Sequence, residues 1–297
     1  MDESQALERV AERLMPERRV RALAEVDGFG TPPTLLVFER GLTVPRQETA
    51  EGVQRQHFAF ELLEGAEPLA ALHQVSGELP GLIAQGRIIY DPSANLGKMQ
   101  RVLRSPSPET LAERRFTLLT EAETRLNTAE RPLTVGSGVA AQLLALMDAR
   151  TIAAECLYPA LLTYLPAWPS ADIRLPHLWR AQAGMRYPLA VYHLDALYGF
   201  GGETEARRAL LATRGLNLVD AEKHARAAVQ AGYYDGAVQY LRHAAARRTR
   251  ADVERWTYLG SARQDKLATL LGAGVSPLGP VAISLCRTLI EDVRVGR

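Results

Sequence analysis

The segment Leu35-Leu36-Val37-Phe38 is apolar on both parities, with Thr34 opening it and Glu39 closing it. Successive side chains of a strand point to opposite faces, so this run predicts a strand covered on both sides, in the middle of a sheet. Such a strand cannot stand alone: partners must flank it and helices must lie over each face. The neighbouring residues offer both. Leu7, Val10 and Leu14 recur at helical spacing among Glu and Arg, and Pro16 stops the short amphipathic helix they define. Val20 to Val26 alternates as a strand that Gly28 and Gly30 end, and His57 to Leu63 reads as a third strand carrying Glu61. Arg87-Ile88-Ile89-Tyr90 is a fourth, closed by the turn Asp91-Pro92-Ser93. The polar stretch from Gly41 to Gln56 reads as an exposed connection, and Pro68 to Gln85 as a helix interrupted at Gly77 and Pro80.

Beyond about residue 100 the strand signals stop. Ser105-Pro106-Ser107-Pro108-Glu109 starts a helix, with Ser107 as cap, Pro108 in the first turn and Glu109 beside the positive end of the dipole. Helical spacing then covers Leu111 to Leu126, Val139 to Tyr164, Leu189 to Tyr198, Glu203 to Ala212, Asp220 to Ala231 and Tyr234 to Arg247. Pro166-Ala167-Trp168-Pro169 and Gly199 to Gly202 separate them as turns. The pair from Asp220 to Arg247 has the form of one helical-repeat hairpin, but no second copy defines a solenoid. The expected fold is α+β, a mixed sheet with flanking helices over residues 1–104, followed by an all-α bundle over residues 105–297. A chain of 297 residues is long enough for two such cores.

Charge and cysteine usage exclude several classes. With 35 basic and 34 acidic residues the formal charge is +1, so no global field draws the chain to nucleic acid or to an anionic membrane. All the basic residues are Arg except Lys98, Lys223 and Lys266, a skew that fits base composition better than an Arg-built face. Cys156 and Cys286 sit in apolar surroundings without a CxxC pair and read as reduced packing residues of a cytoplasmic protein. The acidic, amphipathic start MDESQALERVAERL is unlike a secretory signal, and no run of about eighteen apolar residues predicts a membrane span.

Several local patterns invite a functional reading and have a plainer one. Gly136-Ser137-Gly138 precedes a helix without a strand before it, which makes Ser137 a helix cap. Gly199 to Glu203 lacks the Lys-Ser/Thr of a phosphate loop and lies between helices, so it is a turn. The six histidines show no HExxH spacing. Arg247-Arg248-Thr249-Arg250 is followed by Asp252 and Glu254, as in a solvated helix start.

The order of helix, strand, Gly turn, apolar strand, strand with a carboxylate, helix, strand ending in RIIYDPSANL, then helices, resembles the nucleotidyltransferase fold of the aminoglycoside and minimal nucleotidyltransferases. In that family a Gly-Ser turn cradles phosphate, an Asp-x-Asp pair opens the next strand, and a third carboxylate completes a site for two Mg²⁺ ions. The resemblance places the turn on Phe29-Gly30-Thr31, with Gly28 and Gly30 as its small residues and Thr31 in place of Ser. It places the acidic pair on Pro32 and Thr34, neither of which is a carboxylate, and the third carboxylate on Glu61. The helix between turn and pair is missing, which makes the first two strands a near-hairpin. Glu39 stands about 16 Å along its strand from the place a ligand is needed.

The resemblance therefore implies a degenerate transferase that binds a nucleotide, another small ligand or a partner protein in the cleft between the domains, through Gly28, Gly30, Thr31, Thr34 and Glu61. No cofactor is implied by that reading. An active alternative would need Mg²⁺ held by Asp27 and Glu61. A further alternative lies in RYPLAVYHLD, where Arg186 and His193 have the spacing of helical ribonucleases of the HEPN type, with Pro188 breaking the helix between them. A homo-oligomer or a protein partner stays open.

Overall fold

The computed structural model describes residues 3–26, 33–65, 71–72, 75, 79–130, 138–164, 183–276 and 278–296. The chain divides into two compact units, one running to Pro108 and the other beginning at Glu109.

The first unit is α+β. Helix α1 spans Glu3–Leu14, and strands β1 (Val20–Val26), β2 (Thr34–Glu39), β3 (Arg46–Ala50), β4 (Val53–Ala59) and β5 (Arg87–Tyr90) form one mixed sheet in the order β3-β4-β2-β1-β5. The doubly apolar run is the central strand, as its pattern requires, and every residue from Thr34 to Glu39 is buried. Leu35 and Val37 pack under Ala6, Leu7, Val10, Ala11 and Leu14 of α1. Leu36 and Phe38 face the other way, against helices α2 (Leu79–Gln85) and α3 (Asn95–Arg104) through Leu79, Ile83, Leu96, Met99 and Leu103. β1 and β2 are antiparallel neighbours, with Val26 level with Thr34, which is the near-hairpin the missing helix predicts. A register shift between Val20 and Ala22 lets Val20 and Leu23, three residues apart, share the α1 face.

Three expectations are corrected here. The stretch from Gly41 to Gln56 is no plain connection: β3 lies inside it and pairs antiparallel with β4 through a two-residue turn at Glu51 and Gly52, both at positive φ. β4 then runs parallel to β2. The third strand ends at Ala59, and Phe60–Leu63, with Glu61, is a single 3₁₀ turn in which Phe60 and Leu63 are buried. Pro80 does not interrupt a helix but sits in the first turn of α2, where its missing N–H has no intrahelical partner to lose.

The second unit is helical throughout its described residues. It comprises α4 (Pro108–Ala129), α5 (Val139–Ile152) continuing through a π-helical turn at Ala153–Leu157 into α6 (Tyr158–Leu162), then α7 (Pro188–Tyr198), α8 (Gly202–Ala212), α9 (Val219–Gln230), α10 (Tyr234–Arg248), α11 (Arg250–Glu254), α12 (Ser261–Leu270) and α13 (Pro280–Val295). Its core joins Leu119, Leu126, Leu146, Leu157, Leu194, Leu197, Ile283 and Leu289 with both cysteines. Burial pushes each thiol up to about 12, so both stay protonated. Pro188 is the first residue of α7, so it opens that helix instead of breaking one.

Two arginines lie wholly inside this unit, and their donors end helices. Arg150 donates to the carbonyls of Leu197 (2.9 Å) and Leu271 (2.5 Å) and to Ser276 Oγ (2.7 Å). Arg242 donates to the carbonyls of Tyr198, Gly199 (2.9 Å) and Leu270 (3.3 Å) and pairs with Glu205. The last carbonyls of α7 and α12 have no intrahelical donor and carry the negative end of the dipole, which is what a guanidinium satisfies. Gly272, at φ +68°, leaves the space: a Cβ there would overlap the Arg242 guanidinium.

Candidate functional site

The residues implied by the resemblance do not all fall within the described part of the chain. Asp27, Gly28, Gly30, Thr31 and Pro32 lie outside it. Thr34 opens β2, level with Val26 on one side and Gln54 on the other, and its hydroxyl donates to Gln54 Oε1 at 3.5 Å. Glu61 lies beyond the far end of β4, exposed, where it accepts the Gly41 N–H at 3.0 Å. From Gln54 to Ala59 the parallel pair advances five residues, about 16 Å, so Thr34 and Glu61 stand at opposite ends of the sheet and are not brought together. Among the described residues, no group of three or more His, Cys, Asp and Glu could hold a metal ion.

Two other carboxylates, Glu64 at the end of the same 3₁₀ turn and Asp91 after β5, are both engaged. Glu64 accepts from Asn95 Nδ2 (3.3 Å) and faces Arg40 (3.6 Å). Asp91 accepts the Gly97 N–H in the first turn of α3 (2.8 Å) and the Ser93 hydroxyl (3.2 Å). These groups tie the end of the β2/β4 pair to the start of α3, whose dipole favours a carboxylate there.

A cluster the sequence did not announce is built on the α1 face of the same strands. His57, directly beside Val37 and opposite Arg46, is 2% exposed, and Glu39 closes β2 two residues further on. His57 Nδ1 bonds Glu39 Oε1, Nε2 bonds Glu48 Oε1 at 3.1 Å, and Arg46 Nη2 donates to Glu39 Oε1 at 3.0 Å. Both ring nitrogens thus face carboxylates, and Arg46 Nη2 also stands 3.4 Å from Nδ1. Burial alone would raise the Glu39 carboxyl; His57 first and Arg46 second outweigh it and hold that carboxyl below its ordinary value. The cluster can carry charge into the sheet and fix the outer hairpin to the central strand. The period-2 spacing of Glu48 and Arg46, and of Arg55 and His57, was the one signal in the sequence, and it has meaning only once β3 is known to be a strand.

In the helical unit Arg186 is exposed in the turn before α7, whereas His193 lies within the helix with Nδ1 2.6 Å from Asp292 Oδ2 on α13. That bond anchors α7 to α13. Arg250 of the basic run pairs with Asp148.

No protein-family model matches the sequence, and no curated protein matches it. Among solved structures, a nucleotidyltransferase-like protein from Exiguobacterium sibiricum 255-15 is similar over 92% of this chain and 89% of that one, with 13% identity and a TM-score of 0.39. At that identity and score the likeness defines neither a family nor a chemistry. No helix among the described residues is long and apolar enough to cross a membrane.

Proposed function

We propose that this chain is a nucleotidyltransferase-like protein that has lost nucleotide transfer and acts by binding a nucleotide or another small ligand. The observation that carries the reading is the neutral Thr34–Gln54 contact where the family's acidic pair would open the strand, with Glu61 at the opposite end of the β2/β4 pair. Mg²⁺ needs oxygen ligands about 2.1 Å away, and among the described residues Glu61, exposed and already accepting a backbone N–H, does not assemble such a site. Small turn residues at Gly28 and Gly30 would remain as the means of approaching a phosphate.

The test separates binding from transfer. With Mg²⁺, a nucleoside triphosphate and small hydroxyl or amine acceptors, pyrophosphate release should not exceed the protein-free rate, while equilibrium dialysis should detect the bound nucleotide. Pyrophosphate that rises with protein concentration and disappears in Glu61→Ala would establish the active alternative instead.

A further inference from the structure

The outer edge of β3 has no partner among the described residues: the sheet begins there. Which of its backbone groups are free follows from the turn. The closing pair of a two-residue hairpin, Ala50 and Val53, exchanges both hydrogen bonds, and alternate pairs repeat this at Glu48/Arg55 and Arg46/His57. The Gln54 N–H confirms the phase by donating the other way, to the Pro33 carbonyl at 3.0 Å. Gln47 and Thr49 therefore turn their N–H and C=O groups outward, joined by the Pro45 carbonyl.

A charged edge strand ordinarily discourages pairing. Here the charges are self-complementary in one register. If two copies meet antiparallel about Gln47, the outward groups of Gln47 face each other, and Arg46 of each copy stands opposite Glu48 of the other in the closely spaced, non-hydrogen-bonded position. Sliding by two residues either way puts Glu48 against Glu48 or Arg46 against Arg46. Arg46 and Glu48 are themselves half exposed, so they reach outward while held to Glu39 and His57. We infer that β3 is a self-association edge at which a second copy of this chain adds its own β3, antiparallel and centred on Gln47. Five-residue strands bury less than the ~1,200 Å² at the lower end of a standard interface, so the dimer is weak and depends on concentration.

Sedimentation velocity of the full chain over a wide concentration range should show a reversible monomer–dimer equilibrium. Glu48→Lys, which faces the partner's Arg46 with a like charge, should raise the dissociation constant by about tenfold or more. A folded but purely monomeric parent protein overturns the inference. So does a dimer that Glu48→Lys leaves unchanged. Register is read by oxidation, because Cys156 and Cys286 are buried and do not compete. Gln47→Cys should cross-link to a covalent dimer, since residue 47 meets its own copy, whereas Thr49→Cys should not. The reverse pattern overturns the register.

Discussion

Glu39 faces inward on the central strand because His57 and Arg46 meet it there, and its acidity records the bargain. Its native carboxyl titrates below the ordinary 4.5, so the unfolded chain takes up the proton first as pH falls. The stability it contributes is complete above about 4.5 and is lost as pH drops through the lower native value. Glu39→Gln should cost about 1–3 kcal/mol near neutrality, and urea unfolding should show the gap between variant and parent closing in acid. The buried arginines obey a harsher rule. Arg242→Met leaves the buried Glu205 with only the half-exposed Arg208, 3.8 Å away, and should cost about 3–5 kcal/mol, while Arg242→Met with Glu205→Leu should cost less than the single change, a comparison chemical denaturation can make. None of these partners could be read from the chain alone. Glu39 and His57 meet through the parallel register of two strands eighteen positions apart, and the carbonyls that Arg150 and Arg242 cap belong to helices whose packing no local pattern specifies.

At the scale of elements, legibility follows burial. β2 was plain in the sequence because both of its faces are dry, so both parities are apolar; α1 was plain because one face is. Phe38→Ala should therefore cost about 3–5 kcal/mol, and Val37→Asp more, since it buries a charge without a partner, both measurable by thermal or urea unfolding. β3 was not legible: its first four residues are exposed and its composition is that of a loop. The opposite cause displaced the end of β4, where Phe60 and Leu63 are buried as strand residues would be, but from a 3₁₀ turn. α3 hid behind Gly97, although Leu96, Met99 and Leu103 carry its spacing.

For the molecule as a whole, the contrast between a sheet-bearing first unit and a helical second one should survive cutting. A fragment beginning at Glu109 should give an almost purely helical circular dichroism spectrum, and strand content in it would refute the division. Its histidines add an acid response that begins at a higher pH than that of Glu39. Burial lowers His224, and burial with Arg247 lowers His243, so both rings are neutral in the fold while the unfolded chain begins to protonate near 6.5. The stability linked to them is complete above about 6.5 and declines as pH falls toward the native values. Thermal melts on either side of 6.5 should show a falling midpoint, and His243→Gln should flatten that slope.

The strand order also dictates a sequence of events in time. Leaving β2, the chain passes over one position to lay down β3 and only then returns to fill the gap with β4. β3 has nothing to zip onto until its successor arrives, so residues 46–59 must close locally, on the ~1–10 μs scale of a hairpin, before they dock as one piece. The flank of β2 stays open throughout that interval. The slowest ordering step in this sheet should therefore be a parallel junction between two preformed parts, and changes at the Glu51-Gly52 turn, both residues at positive φ, should slow folding by nearly as much as they reduce stability, which stopped-flow refolding can read.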